Sequence, residues 1–201
     1  MKALIVNYGT GNIYSISASL KRVGFDVEVS DIPRNDVDLL VLPGVGSSKA
    51  LKSYLDRERG RLKDIIMSGV HTLGICLGMQ ILFEYSYEYG YMEGLGIFKG
   101  YIDVIKTRRK VPHIGWDRVY VFSRGGVCSL FEEVDKEHVY FMHSYVAYPD
   151  DASCVCMVSL YDSIFPAAVA WRNVVGTQFH PEKSGLAGRK FLKVVTEWIR
   201  K

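Results

Sequence analysis

Short apolar segments alternate with amphipathic segments through the first half of the chain. The apolar segments have the length and composition of buried β-strands, and the amphipathic ones have the periodicity of helices. Strands are predicted at residues 3–7, at VEVS, at 38–44 and at 70–75, and helices at 13–24, 49–69 and 77–90. Because parallel strands need long crossover connections that are usually helical, this alternation predicts βαβ units and a sheet covered by helices on both faces.

The pattern changes in the second half. From about residue 95 to 179, runs rich in β-branched and aromatic residues are separated by turns, and helical periodicity returns only at 184–200. The sequence has no Ser/Pro-rich linker and no internal repeat, and its 201 residues suit one domain. We therefore predict a single domain over 1–201. Its α/β fold has three layers, with a largely parallel central sheet, flanking helices and additional antiparallel strands from the second half.

Composition and charge argue against several functional classes. The net charge of +3 is too small to favour nucleic-acid binding, and no apolar run reaches the ~18 residues of a membrane helix. The N-terminus lacks the long apolar core of a signal peptide. The four cysteines form no CxxC pair, so we expect no disulfide framework and a reducing, cytoplasmic setting. Cys154 and Cys156 are interpreted as buried thiols of one strand.

No cofactor or metal is expected. The GTG turn after the first predicted strand carries Tyr14 where a dinucleotide fingerprint needs its third glycine. His71, His113 and His138 lack the spacing of metal ligands, and we expect structural or surface roles for them.

The segment GICLG, residues 74–78, places a cysteine between two glycines where a predicted strand meets a helix. This is the thiol counterpart of the GxSxG nucleophile elbow. Such a turn exposes Cys76 at the end of the sheet and aims the helix N-terminus at it, which favours the thiolate. It also places the N–H of Leu77 to bind a developing oxyanion. The alternative is a structural cysteine in a glycine-flanked turn, because free cysteines are commonly buried.

The segment FHPE, residues 179–182, closes another apolar run with two titratable side chains on either side of Pro181. Residues i and i+2 of a strand project to the same side, so we predict that His180 and Glu182 reach one site. His180 would exchange a proton with Cys76, and Glu182 would orient the imidazole. The alternative is a strand end that leads into a helix, where a glutamate favours the positive end of the helix dipole.

GICLGMQ together with FHPE resembles the class I (triad) glutamine amidotransferases. YGTGN (8–12), LPGVG (42–46), PHIGW (112–116), YFMHSY (140–145) and FHPEKS occur in order along the chain. These segments narrow the resemblance to the glutaminase subunits of imidazole glycerol phosphate synthase, over nearly the whole length. The fold implied is the flavodoxin-like, three-layer α/β fold of that family.

The resemblance implies a reaction, a site and a partner. Cys76 would attack the side-chain amide of glutamine to form a thioester, and water would release glutamate. The ammonia would pass to a separate (β/α)8-barrel cyclase subunit of histidine biosynthesis, in a heterodimer. The oxyanion would be held by backbone N–H groups of Val45 and Leu77. The glutamine pocket maps onto Gly44, Gly46, Gln80, His143, Ser144 and Tyr145. The partner interface maps onto Asn12, Trp116, Tyr140, Gln178 and Lys183.

The sequence departs from the family pattern at two places. Ser47 and Ser48 stand where Ala-Phe is usual, and Asp117 stands where Asn is frequent. Neither departure touches a catalytic position. The alternatives left open are a class I amidotransferase subunit serving another acceptor, a cysteine peptidase or hydrolase on the same fold, and a non-catalytic binding subunit. The hydrolase would keep Cys76 and His180 but would not need Gln80 or the HSY segment.

Overall fold

The computed structural model of the chain describes residues 1–9, 11–44, 48–88 and 90–200. The helices are α1 (Ile13–Arg22), α2 (Ser48–Met67), α3 (Leu77–Gln80) and α4 (Gly185–Ile199), with 3-10 turns at Gly126–Val134, Ala152–Cys154 and Pro181–Lys183. The strands of the first half are β1 (Lys2–Val6), β2 (Asp26–Ser30), β3 (Leu39–Leu42), β4 (His71–Ile75), β5 (Phe83–Ser86), β6 (Met92–Glu93) and β7 (Phe98–Val104). Those of the second half are β8 (His113–Val121), β9 (His138–His143), β10 (Tyr145–Pro149), β11 (Val155–Tyr161), β12 (Ser163–Trp171) and β13 (Val174–Thr177).

The larger sheet among these residues has nine strands in the order β2-β1-β3-β4-β13-β12-β11-β8-β9. The strands from β2 to β13 are parallel, and β12, β11, β8 and β9 continue the sheet in antiparallel pairs. The last strand of the chain therefore lies beside β4, between the two halves of the sheet. The α/β fold class is confirmed, with a mixed sheet whose parallel part is confined to one side.

Strand β1 shows how the sheet separates two apolar layers. Its side chains are buried on both faces, because successive residues of a strand point in opposite directions. Ala3 and Ile5 join the cluster that contains residues of α1 and α4, whereas Leu4 and Val6 join the cluster that contains residues of α2. This alternation is the physical basis of the layered arrangement, in which the carboxyl ends of the central strands are left free to carry a site. No helix among the described residues is long and apolar enough to cross a membrane.

The helix predicted at 77–90 is wrong beyond Gln80. Residues 83–86 form β5, part of a second sheet in the order β10-β7-β5-β6. The backbone of this segment bonds to a later one, since Leu82 O accepts hydrogen bonds from Ile97 and Phe98 N–H groups at 2.8 and 3.0 Å. Tyr85 stacks on Tyr101 of β7 with ring centroids 5.8 Å apart. Aromatic residues favour strands when cross-strand partners exist, and here these long-range contacts outweigh the local helical spacing.

The expectation about the cysteines is also wrong. Cys128, in the 3-10 turn Gly126–Val134, forms a disulfide with Cys156 of β11. Cys154 lies in the preceding 3-10 turn, so it is not a second thiol of the same strand. The two partners are separated by 28 positions, and only the packing of the turn against β11 brings them together.

We predict that the unfolded, non-reduced protein contains two titratable thiols, those of Cys76 and Cys154, because the other two cysteines are bonded to each other. The measurement is a thiol titration in denaturant with and without prior reduction. Cys154→Ser should lower the non-reduced count to one. A count of four in non-reduced wild-type protein would contradict the disulfide.

Candidate active site

Cys76 stands between the end of β4 and the start of α3, in a strained backbone conformation with φ of +51° and ψ of −107°. Such a conformation is disfavoured for any residue other than glycine and is common at functional sites. The turn is closed by very tight backbone contacts. A Cβ on Gly78 would collide with the carbonyl of Leu42, and one on Gly74 would lie 2.6 Å from the Gly78 oxygen. The two glycines are therefore required for the elbow that presents the cysteine.

His180 and Glu182 lie just after β13, the strand beside β4. The Cys76 N–H donates to Thr177 O at 2.6 Å, which ties the elbow to the end of β13. His180 Nδ1 lies 2.9 Å from Glu182 Oε1, and both side chains are buried. The expectation that both residues belong to a strand is wrong, because β13 ends at Thr177 and residues 181–183 form a 3-10 turn with Pro181 at its start. The turn, and not strand alternation, brings the two side chains into contact.

The protonation of His180 is set by opposing effects. Burial alone lowers the pKa of the imidazolium, but Cys76 and Glu182 outweigh it and raise the pKa of His180 to about 10. Since carboxylate oxygens only accept hydrogen bonds, Nδ1 is protonated and donates the hydrogen bond that Glu182 accepts. The other nitrogen, Nε2, has no oriented hydrogen-bond partner. At neutral pH a thiolate at Cys76 would therefore face a protonated imidazole, which is the arrangement of a nucleophile with its acid–base partner.

A cavity of about 120 Å³ opens beside the cysteine. It is lined by Gly44, Cys76, Leu77, Gln80, Glu88, Met142, His143, Ser144 and Tyr145. The residues predicted for a substrate pocket therefore lie together, except that Val45 and Gly46 fall outside the described residues. Leu77 is the first residue of α3, where backbone N–H groups have no acceptor within the helix.

Sequence reasoning missed Glu88. Among the described residues that line this cavity, Glu88 is the one with a carboxyl group, and burial raises its pKa. The residue belongs to the run EYSYEYG, which carries no motif spacing and lies within the helix predicted at 77–90. No local sequence signal marks Glu88, because its position depends on the change from helix to strand after Gln80, which long-range contacts determine.

Gln178 was predicted to face a partner, but its side chain is fully buried beside the nucleophile. Its Nε2 contacts Cys76 Sγ at 3.6 Å, and its Oε1 accepts from Gln80 Nε2 at 3.3 Å. Gln80 also donates to the carbonyl of Tyr145 at 3.0 Å. The surface assignment of Gln178 is therefore corrected: the residue connects the cysteine to the pocket.

The other residues predicted at a partner interface are near the surface. Trp116 on β8 is 53% exposed, and its ring lies 5.9 Å from that of Tyr140 on β9. The ammonium of Lys183 lies 5.6 Å from the Tyr140 ring, a cation–π contact. Asn12 caps α1 by accepting from Ser15 N–H. Among the described residues, no three His, Cys, Asp or Glu side chains are arranged to hold a metal ion.

The model of the class-I glutamine amidotransferase family matches residues 4–194. The chain belongs to this family. It is 51% identical over 201 residues, the full length of both chains, to imidazole glycerol phosphate synthase subunit HisH of Saccharolobus solfataricus. It is 49% identical, again over both full lengths, to the protein of the same name from Sulfolobus acidocaldarius.

Solved structures share the fold at low sequence identity. PurLQS from Thermotoga maritima superimposes with a TM-score of 0.76, at 20% identity and with 98% of each chain covered. The glutaminase domain of Trypanosoma brucei CTPS gives a TM-score of 0.67 at 15% identity, covering 98% of this chain and 93% of that one.

Glu182→Gln should lower the pKa of His180 by about one unit or more, because the amide keeps the shape of the carboxylate but removes its charge. Titration of ¹⁵N-labelled histidine by NMR measures this shift. Cys76→Ser, which removes the thiol that also raises this pKa, should lower it independently. An unaltered His180 titration in both variants would contradict the assignment of these three residues to one coupled site.

Proposed function

We propose that this chain is the glutaminase subunit of an imidazole glycerol phosphate synthase, acting as a single amidotransferase domain in the cytoplasm. It hydrolyses glutamine to glutamate and supplies ammonia to a separate cyclase subunit with which it forms a heterodimer. The observation that carries this proposal is full-length similarity at about half identity to proteins of that name. The geometry of Cys76, His180 and Glu182 supports the chemistry.

In the first half of the reaction, the Cys76 thiolate attacks the carboxamide carbon of glutamine. A C–S bond forms, and the carbonyl electron pair moves onto oxygen, where the N–H of Leu77 stabilises the negative charge. When the tetrahedral species collapses, the C–N bond breaks and His180 gives its Nε2 proton to the departing ammonia. The raised pKa of His180 means that this proton is present at neutral pH.

In the second half, water replaces ammonia. His180, now neutral, accepts a proton from the water molecule that attacks the thioester carbon. The C–S bond breaks, the thiolate is restored with the imidazolium beside it, and glutamate leaves. Glu182 accepts the hydrogen bond from Nδ1 in both halves and stabilises the imidazolium whenever it forms, as the third member of a triad does.

Glu88 orients the substrate. Glutamine carries an α-ammonium group, and a carboxylate within the cavity is the complementary partner. The backbone of the Ser144 region lies on the same wall, where it meets the substrate's α-carboxylate.

Glu88→Gln should raise KM for glutamine about 10- to 100-fold, the value of a hydrogen bond to a charged group, with a smaller effect on kcat. The measurement is steady-state glutamate release. Glu93→Gln is the matched control, because Glu93 lies on β6 outside the cavity and pairs with Arg59. Equal KM values in the Glu88 variant and wild type would remove Glu88 from substrate binding.

Trp116, Tyr140 and Lys183 form a contiguous surface on β8, β9 and the turn that carries the triad. We assign this surface to the cyclase, which has a (β/α)8-barrel fold in the proposal. Ammonia would leave the site through a channel that opens toward this partner, and the assembled complex would act as a lyase. Lys183 directly follows Glu182 in the sequence, so a partner that binds Lys183 contacts the residue next to the triad.

The decisive experiment combines this chain with the cyclase subunit from the same source. We expect a one-to-one complex and glutamate release that rises when the cyclase and its nucleotide substrate are both present. Cys76→Ala should lose glutamine hydrolysis but still form the complex. Turnover retained in Cys76→Ala would refute the mechanism, and a chain that neither binds the cyclase nor responds to it would refute the proposed partner.

A further inference from the structure

Two buried histidines form a hydrogen-bonded chain that ends on a half-exposed carboxylate. His113 of β8 and His143 of β9 approach each other with Nδ1 of the first 3.2 Å from Nε2 of the second. His143 Nδ1 lies 3.1 Å from the carbonyl of Tyr145. His113 Nε2 lies 2.7 Å from Asp117 Oδ2. Both imidazole rings are almost fully buried, and only Asp117 reaches solvent.

Two neutral histidines carry too few protons for the three contacts in this series of hydrogen bonds. A carbonyl and a carboxylate both accept hydrogen bonds, so each end of the chain needs a donor. The contact between His113 and His143 needs a third proton. Two neutral imidazoles supply two protons, and whichever tautomers they adopt, one of the three contacts sets a lone pair against a lone pair. All three hydrogen bonds form only when a third proton is present, and with Asp117 as a carboxylate that proton makes one imidazole charged.

The surroundings determine which ring holds the additional proton. Burial lowers the pKa of both histidines, that of His143 to about 3. Asp117 opposes this effect at His113, while Arg109 reinforces it. His143 faces His113 and His180, and the charge of either disfavours a second one there. The rings packed on the pair, including Tyr161 at 4.0 Å from His113, are uncharged, and Cys76 and Glu88 line the same cavity as His143. The third proton therefore belongs on His113, beside Asp117.

We infer that Asp117 makes the histidine pair bind a third proton, and that Asp117 and His113 are thereby positioning residues for the glutamine pocket. An asparagine at 117 would donate its own N–H to His113 Nε2, and the chain would be complete with both rings neutral. The identity of residue 117 thus decides whether the two histidines bind an additional proton, as with aspartate, or both stay neutral, as with asparagine. The need for a third proton follows from the geometry of the three hydrogen bonds alone, whereas the effect on glutamine binding rests on the proposed function.

The histidine pair is connected to the glutamine pocket through one carbonyl group, that of Tyr145. Tyr145 O accepts from His143 Nδ1 and also from Gln80 Nε2. Gln80 in turn contacts Gln178, which contacts the thiol of Cys76. When the third proton is present, His143 keeps its proton on Nδ1 and holds the Tyr145 carbonyl in place. When it is lost, one contact in the chain turns repulsive and the wall of the pocket is less firmly held.

The direct test is an NMR titration of ¹⁵N-labelled histidine in wild type, Asp117→Asn and the control Asp26→Asn. Asp26→Asn removes the same charge from an exposed position on the edge strand β2. We expect the pair in wild type and in the control to take up a proton at a pH about one unit or more above that of Asp117→Asn. Identical titrations in wild type and Asp117→Asn would overturn the inference.

The functional test measures KM for glutamine against pH in the complex with the cyclase. In wild type, KM should rise about 3- to 10-fold as pH increases through the apparent pKa of the pair, the value of one lost hydrogen bond. In Asp117→Asn, KM should stay level over the same range. Parallel KM profiles would overturn the positioning role. A wild-type protein without glutaminase activity would refute the proposed function. The NMR titration would still decide whether Asp117 makes the histidine pair bind a third proton.

Discussion

The site depends on a backbone conformation that the chain would not adopt by itself. A sparsely populated backbone conformation such as that of Cys76, with its positive φ, costs on the order of 1–3 kcal/mol, and it persists only when its surroundings leave no alternative. Here the N–H of Cys76 is bonded to the end of β13, and the following turn lies against the backbone of β3. The elbow is thus fixed by three neighbouring strands of the central sheet. Because His180 follows three residues after the end of β13, the same contacts that force the nucleophile outward also position the histidine.

Histidines of similar burial behave in opposite ways in this molecule. His180 has a carboxylate on one side and a thiol on the other, and its pKa is raised. His143 has a carbonyl and another histidine as neighbours, and its pKa is lowered. The difference lies in the partners and not in the depth of burial, since a nearby negative group offsets the loss of solvent while a neutral acceptor does not. His113 lies between these cases, with one carboxylate and one histidine, and it is the ring whose charge a single substitution would change.

Much of the parallel half of the fold is predictable, because βαβ alternation and glycine punctuation are local signals. The predictions fail where distant contacts decide. The helix expected beyond Gln80 gives way to a strand because Tyr85 finds partners on β7. Cys128 and Cys156 meet through packing that spacing does not reveal. At the site, the elbow and FHPE were found from their motifs, whereas Glu88 and the buried position of Gln178 depend on how a second sheet and the end of β13 close the pocket.

The position of β13 has a consequence for the order in which the protein is assembled. This strand occupies the middle of the large sheet, between β4 and β12, yet it is among the last segments of the chain to be synthesised. Until it arrives, β4 presents an open edge of unpaired backbone groups, the kind of edge that other chains pair with. Non-local pairing of this type is slow to form. The nucleophile's elbow thus acquires its final neighbour late, and a ribosome-bound or truncated chain that lacks β13 would hold an unfinished sheet as well as an unfinished active centre.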